Sequence, residues 1–538
     1  MPNYSLPLSA LLSVCLLPAA GVAQAQVPGF CLAGSIFQNN LQLVDKQGNA
    51  VHTWTGRAGG LAYYVLEGGD LLRTYTPSAA PSGYPPGSQG GVERLGFDGA
   101  LKWQYELFGP NQRLHHDLEP MPNGNVLMIA WDEMTPNEAV SIGRAPSQMQ
   151  GTVFRPDSIL EVQPTGPTTG AVVWEWHIAD HVIQDADPNA ANYGVVSSNP
   201  QLVDINYPPH NTDGDDWNHV NSVKYDPVND WIIISSHRQE EVWVIDHSTT
   251  SAEAAGHTGG ARGKGGDLLY RWGNPAAYQM GTQADQQLFG QHGPYFIPPG
   301  YPGAGNVLLF NNTTPTGSAI FELVMPLDSN GDFVMNAAGT FDPVGPVWSY
   351  YDVAINSSNV SNTERLVNGN TLICAGAAGH IREVDSAGNL VWEYTHPTAV
   401  FQTHHVERRL WADKSQVSVA AGGSVQFDLV NGTDHAGSLY WLLGSFSTGS
   451  SLVSNGFTLP LAVDPYLLLS IDVANSPLLS TTRGILDAEG RGVASLNLPA
   501  TVLPPSLAGM ELYHAFAVIS PSGLITATSD AVRLQLLP

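Results

Sequence analysis

Short strands of alternating apolar and polar residues recur along most of the chain, and turns rich in glycine, proline and asparagine separate them. Each repeat ends in a strand that carries two ring side chains separated by one intervening residue. These pairs are His52/Trp54, Trp103/Tyr105, Trp174/Trp176, Tyr270/Trp272, Trp348/Tyr350 and Trp392/Tyr394. A loop, a short strand, a turn and an apolar strand follow each pair. This pattern predicts four-stranded antiparallel units repeated along the chain.

The clearest unit begins with HHDLEPMPNGNVLMIAW, from His115 to Trp131. Its turn, Pro122 to Gly124, is typical of a hairpin, because proline fixes φ and glycine tolerates positive φ. Related stretches are HVNSVKYDPVNDWIIISSH, QHGPYFIPPGYPGAGNVLLFNN and SNTERLVNGNTLICAG. The variable spacing between copies indicates a common unit with loops of different length.

Counting these units predicts how the repeat closes. Five units have an inner hairpin followed by an outer pair. The N-terminal stretch IFQNNLQLVDKQGNAVHTW supplies only an outer pair, and THHVERRL, near residues 403–410, supplies only an inner strand. Together these halves complete a sixth unit, so the sequence predicts a six-bladed β-propeller over residues 26–413 that leaves no exposed sheet edge.

Residues 414–538 lack the paired-ring signature but keep short apolar alternations such as SVQFDLV and GVASLNL. We expect a separate C-terminal β-sandwich there, which makes the whole chain all-β.

Composition narrows the compartment and the partners. The chain has 538 residues with 21 Lys+Arg against 48 Asp+Glu, a net charge of −27, which argues against nucleic acid and anionic membranes as partners. Residues 1–25 contain an apolar run and a small-x-small end, Ala23 to Ala25, which predicts a cleaved signal peptide and a periplasmic or extracellular protein. Cys31 and Cys374 then permit one disulfide, although Cys374 lies in an apolar strand typical of a buried thiol.

Histidines recur at one position of the repeat. The sequence predicts that His115/His116, His219, His292 and His404/His405 open the first strands of four units and point into a central channel. Neighbouring channel positions are Asn221, which shares the parity of His219, Tyr295, which follows His292 in the same strand, and Asn362 in another unit. His237 and Arg238 follow the next strand after His219.

Three chemistries fit such a ring of histidines. Several imidazoles could bind zinc or iron, although Asp117 is the one carboxylate next to the set in the sequence. A non-catalytic propeller could present a binding surface, but would not need so many histidines. In the third, a neutral histidine accepts an anionic group covalently while the other side chains bind its oxygens. One arginine with neutral donors suits a singly charged sulfo group better than a phosphate.

The motifs HHDLEPMPNGNVL, HVNSVKYDPVNDWIIISS, EVWVID, YRWGNP, and GQH followed by GNVLLFNN resemble those of bacterial arylsulfate sulfotransferases. The resemblance covers roughly residues 35–411. It implies a periplasmic six-bladed propeller that moves a sulfo group from a phenolic sulfate ester to a phenol in a ping-pong reaction. It implies no nucleotide or metal cofactor, and small molecules as the substrates.

By chain order, the resemblance places the sulfurylated nucleophile at His292. It implies that His115 and His219 bind the sulfo oxygens together with Asn221, and that the family's arginine is Arg238, with His237 adjacent. The remaining channel residues, His116, Tyr295, Asn362, His404 and His405, are predicted to contact the substrate.

Overall fold

A computed structural model describes residues 27–149, 151–208, 216–450, 452–454 and 456–538. The predicted signal peptide at 1–25 lies outside them. Within these residues the chain is all-β, and the α-helices are the short segments Pro136–Ser141, Ser251–Ala254 and Pro465–Asp472. None of the helices in the described part is long and apolar enough to cross a membrane.

Six antiparallel four-stranded sheets account for the repeating part. Sheet 1 contains His404–Val406, Phe30–Gly34, Asn40–Val44 and Ala50–Thr55. Sheet 2 contains Tyr63–Val65, Leu71–Tyr75, Gly91–Leu95 and Leu101–Glu106. Sheet 3 contains Gln112–Pro120, Val126–Asp132, Asp157–Gly166 and Thr169–His177. Sheet 4 contains Val220–Asp226, Trp231–Ser236, Glu241–Asp246 and Tyr270–Trp272. Sheet 5 contains His292–Phe296, Val307–Thr314, Gly317–Leu323 and Trp348–Tyr351. Sheet 6 contains Asn362–Arg365, Thr371–Ala375, His380–Val384 and Leu390–Thr395.

Sheet 1 joins the two ends of the repeating part. Leu32 pairs with His404, and Phe30 pairs with Val406. This is the pairing that the count of half-units predicts. It gives the strand Phe30–Gly34 a neighbour on both sides.

The tryptophans of the ring pairs link each sheet to the next one. In every sheet a fourth-strand indole Nε1 donates to the region between the third and fourth strands of the next sheet. The bonds are Trp54 to Gly96 O, Trp103 to Thr169 O, Trp174 to Thr249 Oγ1, Trp272 to Pro343 O, Trp348 to Ser386 O, and Trp392 to Lys46 O. The last bond runs from sheet 6 back to sheet 1, so the six bonds form a closed cycle.

The first strands of the six sheets are also neighbours. Their bonds are Tyr63 Oη to Gln402 O, Tyr64 Oη to Asp117 Oδ1, Lys224 Nζ to Asp117 Oδ2, Asn221 Nδ2 to Gln291 O, Arg365 N to Tyr295 Oη, and Asn362 Nδ2 to Thr403 O. Side chains on these strands therefore share one central region.

The C-terminal part has two larger sheets and one two-stranded sheet, Leu452–Ser454 with Phe457–Leu459. The two larger sheets are as follows. One contains Leu410–Ala412, Gly423–Val430, Arg491–Leu498 and Leu479–Ser480. The other contains Gln416–Ser418, Val532–Leu537, Glu511–Ile519, Leu439–Ser445, Arg483–Ile485 and Ile525–Thr528. Phe427 from the first and Phe516 from the second belong to one buried apolar cluster. The strand Leu410–Ala412 belongs here, a few residues before the predicted boundary at 413/414.

Cys31 and Cys374 are separate buried thiols, so the disulfide that the sequence permits is not formed. Cys31 Sγ lies 2.8 Å from Thr403 Oγ1, and burial raises the pKa of Cys31 to about 12. These thiols pack within the sheets and are not reactive groups.

Candidate active site

Four imidazoles form a continuous cluster at the start of the first strands. His116 lies 4.4 Å from His219, His219 lies 5.2 Å from His237, and His237 lies 5.4 Å from His292, measured between ring centroids. They come from sheets 3, 4 and 5. His237 lies between His219 and His292 in this row. Of the adjacent residues His237 and Arg238, it is therefore His237 that joins the row.

Backbone irregularities, rather than simple strand alternation, aim two of these rings. His116 and His219 have left-handed φ values of 52° and 51°, which L-residues rarely adopt. The prediction that every histidine opens a strand is correct for His292 and His404. It is wrong for His116, which lies inside Gln112–Pro120, where the pairing register shifts. His219 lies one residue before its strand.

His115 lies behind His116 and away from His292. Its ring stacks on Trp131 at 4.0 Å, its Nδ1 lies 2.8 Å from His116 Nδ1, and its Nε2 lies 3.0 Å from Asp157 Oδ1. Burial lowers the pKa of His115 to about 3. The two adjacent histidines therefore do not both join the row: His115 stacks on Trp131, whereas His116 lies beside His219.

Gly87 completes the wall around His116, and sequence reasoning missed it. Its φ is 89°, and a Cβ atom there would lie 2.0 Å from His116 Cε1. The backbone N–H of His116 donates to the carbonyl of Gly87. Only glycine permits this close approach of the loop to the ring.

His115 of sheet 3 and His219 next to sheet 4 contact carboxylates that the sequence analysis did not predict. His219 Nδ1 lies 2.5 Å from Asp216 Oδ2. Burial opposes ionisation of Asp216, but His219 and Arg238 outweigh it and hold its pKa at about 2. Burial and the neighbouring Asp216 raise the pKa of Asp157 well above its ordinary value.

Arg238 is bound to the same carboxylate residue. Its guanidinium donates to the backbone oxygen of Asp216, and Nη2 lies 3.6 Å from Asp216 Oδ2. Asp117, the one carboxylate expected near the histidines, instead accepts from Lys224 and Tyr64. The expectation about Asp117 was therefore incomplete, because the nearby carboxylates come from distant parts of the sequence.

His292 rests on neutral groups. Its Nδ1 lies 2.8 Å from Asn312 Oδ1 and 3.1 Å from Gly290 O. The amide nitrogen of Asn312 donates to two carbonyl oxygens, Ser357 O and Val360 O, which fixes the amide's orientation. Both groups that face Nδ1 are acceptors, so Nδ1 carries the hydrogen and Nε2 keeps its lone pair. Burial lowers the pKa of His292 to about 4, which favours the neutral ring.

A cavity of about 280 Å³ adjoins His292 along the first strands. Four aromatic side chains contribute to its wall: Tyr64, Tyr295, Tyr301 and Phe401. Polar residues in the wall include Glu119, Asn221, Lys224, Asn362, Glu364, Arg365 and His404. Its volume lies just below the roughly 300–1,000 Å³ usual for ligand pockets, which fits a single aromatic ring with a polar substituent.

His404 and Glu364 form a dyad in this wall. His404 Nδ1 bonds to Glu364 Oε1, and the backbone N–H of His405 donates to Glu364 Oε2. Burial alone would raise the pKa of Glu364, but His404 and His405 hold it below its ordinary value. The carboxylate therefore takes the Nδ1–H of His404. Nε2 of His404 is buried, with no hydrogen-bond partner among the described residues.

His405 does not line the cavity, contrary to the prediction for this residue. Successive side chains of a strand point to opposite faces, so His405 faces away from His404. It packs at Gly29, where a Cβ atom would lie 2.8 Å from its Nε2. Burial lowers the pKa of His405 to about 4.

Three other residues that were predicted to contact the substrate line the cavity. Their polar groups form hydrogen bonds to neighbouring segments of the protein. Asn362 makes two bonds to the backbone of Thr403, and Tyr295 Oη accepts from Arg365 N. Asn221 donates to Gln291 O, while its Oδ1 has no hydrogen-bond partner among the described residues. These side chains fix the shape of the cavity.

Lys224 and Glu119 were missed by sequence reasoning. Lys224 Nζ bonds to Asp117 and Tyr64 and lies 3.5 Å from Glu119 Oε2. Burial raises the pKa of Glu119 to about 7. Both residues follow predicted site residues on their own strands, but a register shift between Val220 and Ser222 hides the parity of Lys224.

Comparisons with known proteins give structural neighbours and a family. A protein of unknown function from Bacteroides caccae matches 70% of this chain and 99% of its own, at 12% identity and a TM-score of 0.39. The periplasmic gluconolactonase of Pseudomonas aeruginosa matches 70% of this chain and 99% of its own, at 10% identity and a TM-score of 0.38. No curated protein is significantly similar. The family model described as Arylsulfotransferase (ASST) matches residues 87–408.

Proposed function

The chain belongs to the arylsulfotransferase family, and we propose that it transfers a sulfo group from a phenolic sulfate ester to a phenol through a sulfohistidine at His292. The reaction as proposed needs no nucleotide or metal cofactor, because the side chains described above supply the nucleophile, the anion-binding groups and the proton carrier. The substrates are small molecules.

The fixed tautomer of His292 carries this proposal. A nucleophilic histidine must be neutral and must present an unprotonated nitrogen to the electrophile. Asn312 and Gly290 hold the hydrogen on Nδ1, which leaves the Nε2 lone pair for attack on sulfur. When Nε2 takes the sulfo group, the ring becomes positively charged, and the same two oxygens still accept from Nδ1–H. No proton has to leave the ring in either half of the reaction.

The neighbouring imidazoles support binding of the sulfo oxygens. His116, His219 and His237 form the row that ends at His292. A histidine backed by a carboxylate can carry a proton on its second nitrogen and donate it to an anion. In this account His219, backed by Asp216, is the principal donor. Arg238 acts through Asp216 as a positioning residue, and His115 positions His116.

The cavity beside His292 supports an aromatic substrate, since Tyr64, Tyr295 and Phe401 form part of its wall. In the first half-reaction Nε2 of His292 attacks sulfur, the ester S–O bond breaks, and protonated His404 gives its Nε2 proton to the leaving phenolate. In the second half-reaction Nε2 of His404 takes the proton of the acceptor phenol. The phenol oxygen then attacks sulfur, and the N–S bond to His292 breaks.

The scaffold and location form part of the same proposal. The closed cycle of tryptophan bonds and the joined chain ends support a six-bladed propeller over about residues 26–413. The two C-terminal sheets with their shared apolar cluster support a β-sandwich over residues 414–538. We further propose that residues 1–25 are a signal peptide and that the mature protein is periplasmic or extracellular.

The test uses p-nitrophenyl sulfate as donor and phenol as acceptor with the mature chain. We expect release of p-nitrophenol and formation of phenyl sulfate in equal amounts, with the parallel double-reciprocal lines of a ping-pong reaction. Inorganic sulfate in place of phenyl sulfate would instead identify a sulfatase. No turnover of any aryl sulfate would favour a non-catalytic binding protein.

A further inference from the structure

A second group of histidines lies outside the proposed active site. His181 follows the last strand of sheet 3, and His257 and Asp267 lie in the loop between the third and fourth strands of sheet 4. His181 Nδ1 lies 3.0 Å from Asp267 Oδ1, and His257 Nδ1 lies 2.7 Å from the same oxygen. Three potential ligand atoms therefore converge on one point.

The hydrogen bonds of His181 direct one ring nitrogen at the group. Its Nε2 lies 2.8 Å from Ala254 O, and a carbonyl oxygen can only accept, so Nε2 carries a hydrogen. In the neutral ring with this tautomer, the lone pair of Nδ1 points toward Asp267, where it can act as a metal ligand.

We propose that His181, His257 and Asp267 bind one zinc ion. Two imidazole nitrogens and a carboxylate oxygen are a usual donor set for zinc, at about 2.0–2.2 Å from the metal. Tetrahedral coordination at those lengths needs about 3.3 Å between donor atoms, so the distance from His181 to Asp267 must grow by about 0.3 Å and His257 must withdraw by about 0.6 Å. That movement is open to it because 59% of its side chain is exposed. Water completes the coordination on this exposed side.

The surroundings hold His181 for this role. Trp176 stacks on its ring with 6° between the planes, and the Trp176 indole donates to Gly266 O. A Cβ atom on Gly266 would lie 2.5 Å from His181 Nε2, so the loop closes that side of the ring completely. Asp267 lies on the Nδ1 side of the ring, and His257 contacts the same carboxylate oxygen. Zinc there would tie the segment after sheet 3 to the loop of sheet 4.

The experiment is a titration of the chelator-treated full chain with zinc chloride, followed by calorimetry and thermal melting. We expect one tight site and a higher melting temperature with zinc. In His257→Ala, whose ring is exposed and whose loss should not impair folding, we expect zinc affinity at least 100-fold lower and no zinc-dependent melting shift. Asp267→Asn should behave in the same way.

His435→Ala is the matched control, because His435 also lies near a carboxylate, 3.8 Å from Asp434, in the C-terminal part. We expect it to bind zinc like the unmodified chain. Absence of zinc binding in the unmodified chain would overturn the proposal. Equal binding in His257→Ala would place the ion at another site, such as the channel histidines, and would overturn it too.

Discussion

The channel cluster has two halves that hold their histidines in opposite ways. On sheets 3 and 4, His219 rests on the carboxylate of Asp216, which Arg238 in turn contacts. On sheet 5, His292 rests on the amide oxygen of Asn312 and a backbone carbonyl. A carboxylate favours a charged imidazole, whereas neutral acceptors fix a tautomer without adding charge. In the proposed mechanism, this difference corresponds to anion binding in one half and nucleophilic attack in the other.

Replacing His292, the proposed nucleophile, should have the largest effect on turnover. In His292→Ala we expect aryl sulfate turnover to fall by at least about 10³, since the variant lacks the nitrogen that accepts the sulfo group in the proposed reaction. His405→Ala is the control, because that buried ring faces away from the cavity, and its turnover should stay within a few fold. Steady-state rates with p-nitrophenyl sulfate decide it. Retained activity in His292→Ala would refute the assignment.

Neutralising the carboxylate of the other half should cost less. Asp216→Asn removes the charge that supports His219, and the loss of one oxyanion donor typically costs about 10²–10³ in rate. We expect a fall of about 10² in kcat, with melting measured in parallel to separate folding from catalysis. An unchanged rate in a folded variant would mean that His219 does not bind the sulfo group.

The His404–Glu364 dyad should matter most for acceptors that hold their proton firmly. General acid–base catalysis typically contributes about 10²–10⁴, so His404→Gln should lower turnover by about 10² with phenol as acceptor. Glu364→Gln should give a smaller loss in the same direction. The loss should shrink with nitrophenols, which are already ionised at neutral pH. A loss independent of acceptor acidity would indicate a packing role instead.

Replacing Asn312 by aspartate should give Nδ1 of His292 a carboxylate partner, as Asp216 is for His219. Asn312→Asp places a carboxylate on Nδ1, which favours the imidazolium and raises the pKa of His292 from about 4. The active form is neutral, so the acid limb of kcat/KM should move to higher pH, with roughly tenfold less activity near pH 5.5. The unmodified enzyme should show that limb near pH 4. An unshifted limb in the variant would show that another group titrates.

The smallest expected effect concerns the scaffold. Trp392→Phe removes the bond to Lys46 O that links sheet 6 to sheet 1, and we expect a loss of about 1–2 kcal/mol in the free energy of unfolding. Trp231→Phe is the matched control, because its buried Nε1 has no hydrogen-bond partner in the described part of the chain. Denaturant titration should show the larger loss in Trp392→Phe.

Much of this arrangement was readable from the sequence, because it depends on local pattern. The ring pairs mark the fourth strands, and the half-units at the two ends pair as counted. The cluster residues His116, His219, His237 and His292 all belong to the predicted set. Glu364 could also have been found, since it lies two residues after Asn362 and therefore shares its strand face.

The rest depends on backbone irregularities and on contacts between distant segments. The positive φ at His116 and the register shift in its strand interrupt the regular alternation of side chains, so periodicity does not predict the directions of His115 and His116. Asp157 belongs to the third strand of sheet 3, yet it contacts His115 from the first strand and accepts from the backbone N–H of Val220 in sheet 4. Asn312 reaches His292 from the neighbouring strand, and its amide orientation follows from two carbonyl contacts. Single-chain periodicity carries no information about such pairings.

The most direct test of the central claim is to trap the covalent intermediate. The unmodified chain is mixed with p-nitrophenyl sulfate without acceptor, quenched, and measured as intact protein and as peptides by mass spectrometry. The account predicts one added sulfo group per chain, on the peptide that contains His292, and its loss when phenol is added. A sulfo group on another histidine, or turnover with no adduct at all, would contradict it.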